Sequence, residues 1–255
     1  MNIEYHKYFS PNLSHEMEFK IYGHAGKPVV VFPAQSGRFY DFENFGMIDA
    51  ASWFIEQGWF QFYTPDSVDS QSWANWQAHP ADRAHRHEDY DRYITRELAP
   101  FIRSRTSPDT MLLTTGCSMG GYHSANFFFR HPDIFDSVIS LSGLFQLRMF
   151  VGEFVNDDVY FNSPLLYMRE LNDPWFLERF KSSFIIICAG SGAWEDAMLA
   201  DIEVLREILN RKDIPAWIDI WGYDVNHDWP WWHKQLPYFL GKVHEWEEGK
   251  LSQPG

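Results

Sequence analysis

Residues 114–122, TTGCSMGGY, are the most informative segment of the chain. The apolar run MLL at 111–113 predicts a buried strand before it, and residues 123–130 predict a helix after it. A strand, a Gly-x-Ser-x-Gly turn and a helix together form a nucleophile elbow, in which the glycines let the strand and the helix approach closely. We expect Ser118 to present its hydroxyl at a helix N-terminus, where backbone N–H groups favour negative charge.

The composition is that of an acidic, aromatic-rich globular chain. With 255 residues it can form one α/β domain with a large core. Aromatic residues make up 18% of the chain and include 12 tryptophans, which suggests an aromatic-lined cleft in addition to a well-filled core. The formal net charge of −14 makes nucleic acids and anionic membranes poor partners.

The cysteines and the start of the chain predict a cytoplasmic protein. Cys117 lies in the elbow and Cys188 in another apolar run, and a third strand between these runs would keep the sulfur atoms too far apart to bridge. Reduced thiols are typical of intracellular proteins. Residues 1–10 contain no apolar core of a signal peptide, and no apolar run reaches membrane-spanning length. The sequence leaves a monomer and a homo-oligomer both open.

Strand and helix patterns alternate along the chain, and residues 3–9 and 15–22 predict an antiparallel hairpin at a sheet edge. Further strands are predicted at 29–32, 59–65, 111–113, 137–143, 184–189 and 216–221, and helices at 47–57, 81–103, 123–130, 197–210 and from Pro230 onward. This alternation predicts an α/β fold with a mostly parallel central sheet and helices on both faces. The elbow motif makes the α/β-hydrolase fold the expected one. We expect a single domain over residues 1–255, with the irregular aromatic stretch 144–180 as a cap over a cleft.

The serine of the elbow requires a base, and His227 is the predicted one. A serine hydroxyl becomes a useful nucleophile when a histidine, itself oriented by a carboxylate, takes its proton. In the fold that contains this elbow, the chain order is serine, acid, histidine. His227 lies in the loop after the last predicted strand, at the edge where an open parallel sheet has its cleft. The other histidines considered lie in or beside predicted helices and fit less well.

Glu195 is the predicted acid, because it follows the strand that precedes the His227 loop in the chain. Asp196, its neighbour, and Asp224, three residues before the histidine, remain alternatives. A loop carboxylate often only faces solvent or caps a helix, and Asp196 is placed to cap the helix that follows.

Two backbone N–H groups are predicted to hold the oxyanion of the tetrahedral intermediate. Met119 directly follows the nucleophile and supplies one donor. The second donor is expected from the loop after the 29–32 strand, where Gln35 is preferred to Ala34 and Ser36.

Two tryptophans near these loops, Trp194 and Trp229, are predicted to contact a small-molecule ester substrate in an apolar or aromatic pocket. Packing is the commoner role of such rings. Neither the acyl group nor the alcohol group of the substrate can be read from the sequence.

No metal and no cofactor are expected. The cluster of His79, His85, His87 and Asp82 does not have the spacing of a known zinc pattern. Residues 116–121 lack the Gly-Lys-Ser/Thr ending of a phosphate loop, so nucleotide binding is not expected either.

Five segments, spread in order over most of residues 29–240, resemble the putative-esterase branch of the α/β-hydrolases. They are ELAPFI at 97–102, GCSMGG at 116–121, HPDIF at 131–135, LSG at 141–143 and HDWPWW at 227–232. That branch holds esterase D (S-formylglutathione hydrolase), feruloyl esterases and mycolyltransferases. The resemblance implies that Ser118, His227 and an acid form a triad that hydrolyses carboxylic esters through an acyl-enzyme.

Two features depart from the pattern of that branch. Pro33-Ala34 stands where its members often have His-Gly, which bears on the second oxyanion donor. Glutamate stands where many members carry aspartate; in this the chain is similar to the mycolyltransferases, so acyl transfer to an alcohol is an alternative to hydrolysis. A thioesterase or a peptidase with the same triad, and a catalytically silent binding protein, are the remaining alternatives.

Overall fold

The computed structural model describes residues 1–250, and its centre is an eight-stranded sheet. The strands are β1 Ile3–Ser10, β2 His15–Tyr22, β3 Lys27–Phe32, β4 Phe60–Pro65, β5 Leu112–Cys117, β6 Phe135–Leu141, β7 Phe184–Ala189 and β8 Trp217–Ile220. They lie side by side in the order β1-β2-β4-β3-β5-β6-β7-β8. β2 pairs antiparallel with β1 and with β4, and every other neighbouring pair is parallel. The predicted hairpin and the mostly parallel α/β sheet are confirmed.

Helices cover both faces of the sheet, and two of them matter most for the site: one follows β5 and the other follows β8. The helices are α1 Asp41–Asn44, α2 Met47–Glu56, α3 Pro80–Tyr93, α4 Ala99–Arg105, α5 Met119–Arg130, α6 Arg148–Val151, α7 Asp157–Tyr160, α8 Pro164–Glu170, α9 Pro174–Lys181, α10 Asp196–Arg211 and α11 Trp229–Glu247. Among residues 1–250, no helix is both long and apolar enough to cross a membrane.

The sheet separates two apolar cores, because alternate side chains of a strand point to opposite faces. On β3, Val30 and Phe32 belong to the core beneath α3, α5 and α10. Val29 and Val31 belong to the core beneath α2 and α11. All four side chains are at most 1% exposed. A strand buried on both faces is the physical reason for the continuous apolar run in this part of the sequence.

The long helix predicted over 81–103 is interrupted. It consists of α3, a π-helical turn at Ile94–Leu98, and α4. The widened turn comes just before Pro100, which has no backbone N–H to donate to a carbonyl of the preceding turn. The amphipathic pattern alone did not reveal this change of pitch, because the apolar face continues through it.

The segment 144–180 is not irregular, and that expectation is wrong: it contains the short helices α6 to α9. Two of them begin at ordinary capping residues. The Asn156 side chain accepts the N–H of Val159, and the Asp173 side chain accepts the N–H of Trp175. The helices were missed because each is shorter than the window in which a helical period can be recognised.

This segment has two different environments. Leu147, Phe150 and Val159 pack in a buried apolar cluster with Met119, the residue after Ser118. Tyr167 and Phe180, further along, belong to the main core beneath α5 and α10. The first half of the segment therefore lies next to the elbow, and the second half is part of the layer that covers the sheet.

Candidate active site

The elbow has the strained backbone that its sequence predicts. Ser118 joins β5 to α5 with φ 59° and ψ −119°, a region that non-glycine residues rarely occupy. Such strain costs on the order of 1–3 kcal/mol and persists only where the surrounding structure holds it. Here the N–H of Ser118 donates to the carbonyl of Leu141 on the neighbouring strand β6, at 2.8 Å.

The glycines of the elbow allow a backbone contact that no other residue permits. A Cβ atom on Gly116 would lie 2.5 Å from the carbonyl oxygen of Phe32, and one on Gly120 would lie 2.2 Å from the same oxygen. Both distances are far below van der Waals contact, and a backbone atom cannot move aside as a flexible side chain can. The elbow is therefore pressed against the end of β3, from which the candidate oxyanion loop begins.

His227 reaches the hydroxyl of Ser118 directly. Its Nε2 lies 2.9 Å from the Oγ of Ser118, although the two residues are 109 positions apart in the chain. The loop that carries it is hydrogen-bonded to the loop after β7: the N–H of His227 donates to the Ala193 carbonyl at 3.0 Å, and the N–H of Ala193 donates to Asn226 Oδ1 at 2.8 Å. The edge-to-face contact of its ring with Trp232 has a centroid separation of 5.0 Å.

Glu195 is the carboxylate that faces His227. Its Oε2 lies 3.4 Å from Nδ1, and its side chain is 1% exposed. Neither of these two atoms makes another hydrogen bond among residues 1–250, so each is the other's natural partner. The distance is longer than an ordinary hydrogen bond, as is common for catalytic pairs without substrate. Asp196 and Asp224 are both exposed, and in the described part of the chain the carboxylate that pairs with the histidine is that of Glu195.

Ser142 and Trp232 hold the carboxylate in place, and sequence reasoning did not assign them a role. The hydroxyl of Ser142 donates to Glu195 Oε1 at 2.6 Å, and Trp232 Nε1 donates to the Ser142 oxygen at 3.1 Å. Ser142 itself has φ 51°, in the left-handed region of backbone space. Both residues lie in segments already singled out for their resemblance, LSG and HDWPWW, but nothing in the sequence indicated what they contact.

The cysteine next to Ser118, Cys117, lacks the properties of a nucleophile. Burial raises the pKa of the Cys117 thiol well above its usual range. Burial also raises the pKa of the Cys188 thiol, and the Asp219 and Glu195 carboxylates add to the effect. Both cysteines are free and buried, so they stay protonated at neutral pH and lack the thiolate that reacts.

The two predicted oxyanion donors lie on the elements that the elbow brings together. Met119 begins α5, so its N–H belongs to the first turn of the helix, which has no carbonyl partners within the helix. Gln35 lies in the turn after β3, where the N–H of Gly37 donates to the Ala34 carbonyl at 2.8 Å. The N–H of Ser36 is already bound to Asp69 at 3.1 Å, which removes Ser36 as the second donor.

The two predicted substrate contacts have unlike surroundings. Trp194 precedes Glu195, has φ 69°, and exposes 84% of its side chain. Trp229 is half-buried at the start of α11, where it stacks on Phe45 at a centroid distance of 4.4 Å and meets Trp232 edge to face. Trp194 is thus free to meet a ligand, whereas Trp229 is held by its neighbours.

The three histidines considered above as metal ligands have different surroundings. His79 caps α3 through Nδ1, the His85 side chain is 70% exposed, and His87 is fully buried beside Trp73. Burial lowers the pKa of His87 well below its usual value, and the nearby His123 and Arg130 lower it further. Among residues 1–250, no group of three or more potential ligands is arranged to hold a metal ion.

Comparisons with known proteins agree with this architecture. The family model described as putative esterase matches residues 10–243. Among solved structures, a ferulic acid esterase has a TM-score of 0.75 and is 16% identical, with 96% of this chain and 98% of that chain covered. A comparison with curated protein sequences gave no match.

Two further structures show the same fold. The fluorophosphonate-binding serine hydrolase FphF of Staphylococcus aureus is 17% identical with a TM-score of 0.66, covering 95% of this chain and 98% of that chain. An S-formylglutathione hydrolase from Agrobacterium tumefaciens is 15% identical with a TM-score of 0.68, covering 98% and 95%. The family match spans nearly the whole described fold. The chain therefore belongs to the putative esterase family and is a carboxylic ester hydrolase.

Proposed function

We propose that this esterase works through an acyl-enzyme, with Ser118 as the nucleophile, His227 as the general base and Glu195 as the residue that orients the imidazole. The observation that carries the proposal is the 2.9 Å contact between Ser118 Oγ and His227 Nε2. The Glu195 carboxylate beside Nδ1 favours the tautomer in which Nδ1 carries the proton and Nε2 is free to accept one.

The reaction has two halves. Ser118 Oγ attacks the acyl carbon while His227 Nε2 takes the hydroxyl proton, and the alcohol leaves with that proton. Water then attacks the acyl-enzyme, again giving its proton to Nε2, and the acid is released as Ser118 regains its hydrogen. In both halves the N–H groups of Met119 and Gln35 stabilise the negative oxygen, a contribution typically worth about 3–4 kcal/mol per donor.

The surroundings of Ser118 favour a small or aromatic carboxylic ester. The buried cluster next to Met119 includes Trp73 and Phe150, and it provides an apolar wall on one side of the nucleophile. We propose that residues 144–160 act as the cap on this side and that the exposed ring of Trp194 contacts the substrate on the other. We also propose a cytoplasmic location, consistent with two free cysteines.

The first test compares the purified protein with Ser118→Ala on p-nitrophenyl acetate and butyrate. We expect turnover by the wild type and a loss of at least about 10³-fold in the variant. Equal turnover by both proteins would refute Ser118 as the nucleophile. Esters of graded acyl length then measure the size of the acyl pocket.

A second test uses a fluorophosphonate probe, since one structural relative is named as a fluorophosphonate-binding serine hydrolase. Mass spectrometry of the digested protein should find the added mass on the peptide that contains Ser118 and on no other. Absence of labelling in a folded protein would favour the silent binding protein instead. Product analysis in the presence of an added alcohol separates hydrolysis from acyl transfer, and a thioester in place of the ester tests the thioesterase alternative.

A further inference from the structure

Asp69 is a buried carboxylate that connects two parts of the site. It lies in the loop between β4 and α3 and is 1% exposed. Its Oδ2 accepts the N–H of Ser36 at 3.1 Å, and its Oδ1 lies 2.9 Å from Nε2 of His123. His123 is fully buried on α5, the helix that begins directly after Ser118. One carboxylate thus joins the loop of Gln35 to the helix of Met119.

The loop after β3 requires such a contact, because its own geometry is strained. Ser36 has φ 56°, in the left-handed region that disfavours residues with a Cβ. Gln35 and Ser36 are both exposed, so packing does not fix them. A strained backbone of this kind persists only when neighbouring groups hold it. The charged acceptor on the N–H of Ser36 is well suited to that purpose.

Two neighbours of Asp69 hold the same loop without reaching the helix. Asp66 Oδ1 accepts the N–H of Phe39 at 3.0 Å, and the hydroxyl of Ser67 donates to the Gly37 carbonyl at 2.8 Å. Of these three residues, only Asp69 is hydrogen-bonded to α5 within the described chain. Of the three, it is therefore the residue that ties the loop to the helix beginning after Ser118.

His123 uses one ring nitrogen, Nε2, to bind Asp69. His123 Nδ1 makes no hydrogen bond in residues 1–250, so its Nε2 is the ring nitrogen that serves Asp69. The ring is also enclosed by aromatic neighbours, with centroid distances of 5.8 Å to Phe32 and 5.0 Å to Tyr122. Its position is consequently set by the packing of α5 against β3.

We propose that Asp69 is a positioning residue that sets the spacing between the two oxyanion donors, the N–H groups of Gln35 and Met119. This inference rests on the proposed function, since it assigns those two groups to the oxyanion. A displaced donor weakens a contact that is strongest in the transition state, so kcat falls while KM changes little.

The test is Asp69→Asn, which keeps the shape of the side chain but leaves one acceptor oxygen for two donors. We expect kcat for p-nitrophenyl acetate to fall by about tenfold, below the 10²–10³-fold typical of losing a whole donor, with KM within about twofold. The matched control is Asp201→Asn. Asp201 is also buried and accepts a backbone and a side-chain N–H, from Phe145 and Gln146, but it does not contact the oxyanion loop. The control should be destabilised similarly and keep its kcat.

A second measurement separates positioning from general loss of structure. A trifluoromethyl ketone forms a tetrahedral adduct with an oxyanion, whereas the matching methyl ketone binds mainly as a ground-state ligand. Asp69→Asn should weaken the first by the same factor as kcat/KM and leave the second unchanged. An unchanged kcat, an equal loss in Asp201→Asn, or equal weakening of both ketones would overturn the proposal.

Two further variants keep the test decisive. If Asp69→Asn does not fold, the comparison is between His123→Gln and His123→Leu, because the glutamine amide can still donate to Asp69. His123→Gln should retain several times the kcat of His123→Leu. Equal kcat values would count against the proposal. Ser118→Ala identifies a failure of the proposed function. If Ser118→Ala is as active as the wild type, the assignment of the site is wrong, whereas an inactive Ser118→Ala with a fully active Asp69→Asn rejects the role of Asp69 alone.

Discussion

Replacing Glu195 with glutamine tests the assignment of the acid without changing the shape of the site. The carboxylate lies 3.4 Å from His227 Nδ1 through one oxygen and accepts the Ser142 hydroxyl through the other. Glutamine can keep its oxygen on Ser142, and its NH₂ group then faces Nδ1. A donor facing Nδ1 favours the tautomer of His227 that carries its proton on Nε2. In that tautomer, Nε2 can no longer accept the proton of Ser118.

The size of the effect follows from this change of tautomer. A neutral amide in place of the orienting carboxylate lowers kcat by about 10⁴-fold in the Ser-His-Asp triad of serine proteases. The contact here is longer than an ideal hydrogen bond, so we expect about 10³-fold, which corresponds to about 4 kcal/mol of transition-state stabilisation.

The assay is the kcat of Glu195→Gln with p-nitrophenyl acetate, together with its rate of fluorophosphonate labelling. Asp196→Asn and Asp224→Asn are matched controls, because both carboxylates are exposed, Asp196 at the start of α10 and Asp224 in the loop before His227. We expect each control to stay within about twofold of the wild type. The reasoning is refuted if Glu195→Gln keeps more than a tenth of the activity, or if either control loses more than Glu195→Gln does.

Four further outcomes follow from the contacts described. Ser142→Ala should lower kcat by about tenfold, measured by kinetics, and the free energy of unfolding by about 2 kcal/mol, measured by urea unfolding. The reason is that it leaves a buried carboxylate oxygen of Glu195 and the N–H of Trp232 without their partner. Gly120→Ala should cost about 3 kcal/mol of stability because its Cβ would meet the backbone at 2.2 Å, whereas Gly152→Ala, where nothing lies within 4 Å, should cost about 1 kcal/mol; similar losses would contradict the close approach. Trp194→Ala should leave stability within about 0.5 kcal/mol and raise KM several-fold for aromatic esters, and an unchanged KM would remove this residue from the substrate contacts. Because burial raises both thiol pKa values, native protein at pH 8 should react with iodoacetamide far more slowly than urea-unfolded protein, and equal rates would contradict their burial.

Much of the fold could be predicted because it is encoded in local patterns. An apolar run such as 29–32 has the composition of a strand buried on both faces, and the structure places it as β3 in the middle of the sheet. The elbow could be recognised because its glycines and Ser118 are neighbours in the chain, so one short motif specifies the turn. The interruption of the long helix at Ile94–Leu98 was missed because its apolar face continues through the π-helical turn. The short helices of 144–180 were missed because each is too short to show a helical period.

The sequence by itself determined the elbow and the loops that carry the candidate serine, acid and histidine, since each of these features depends on residues close together in the chain. Only the tertiary structure decided which carboxylate lies against His227: Glu195 is buried beside Nδ1 of the ring, while its neighbour Asp196 faces solvent. The same holds for Asp69, whose partners are 33 and 54 positions away. Neighbouring side chains with the same functional group can point in opposite directions. The packing between distant segments determines which of them lies in the site.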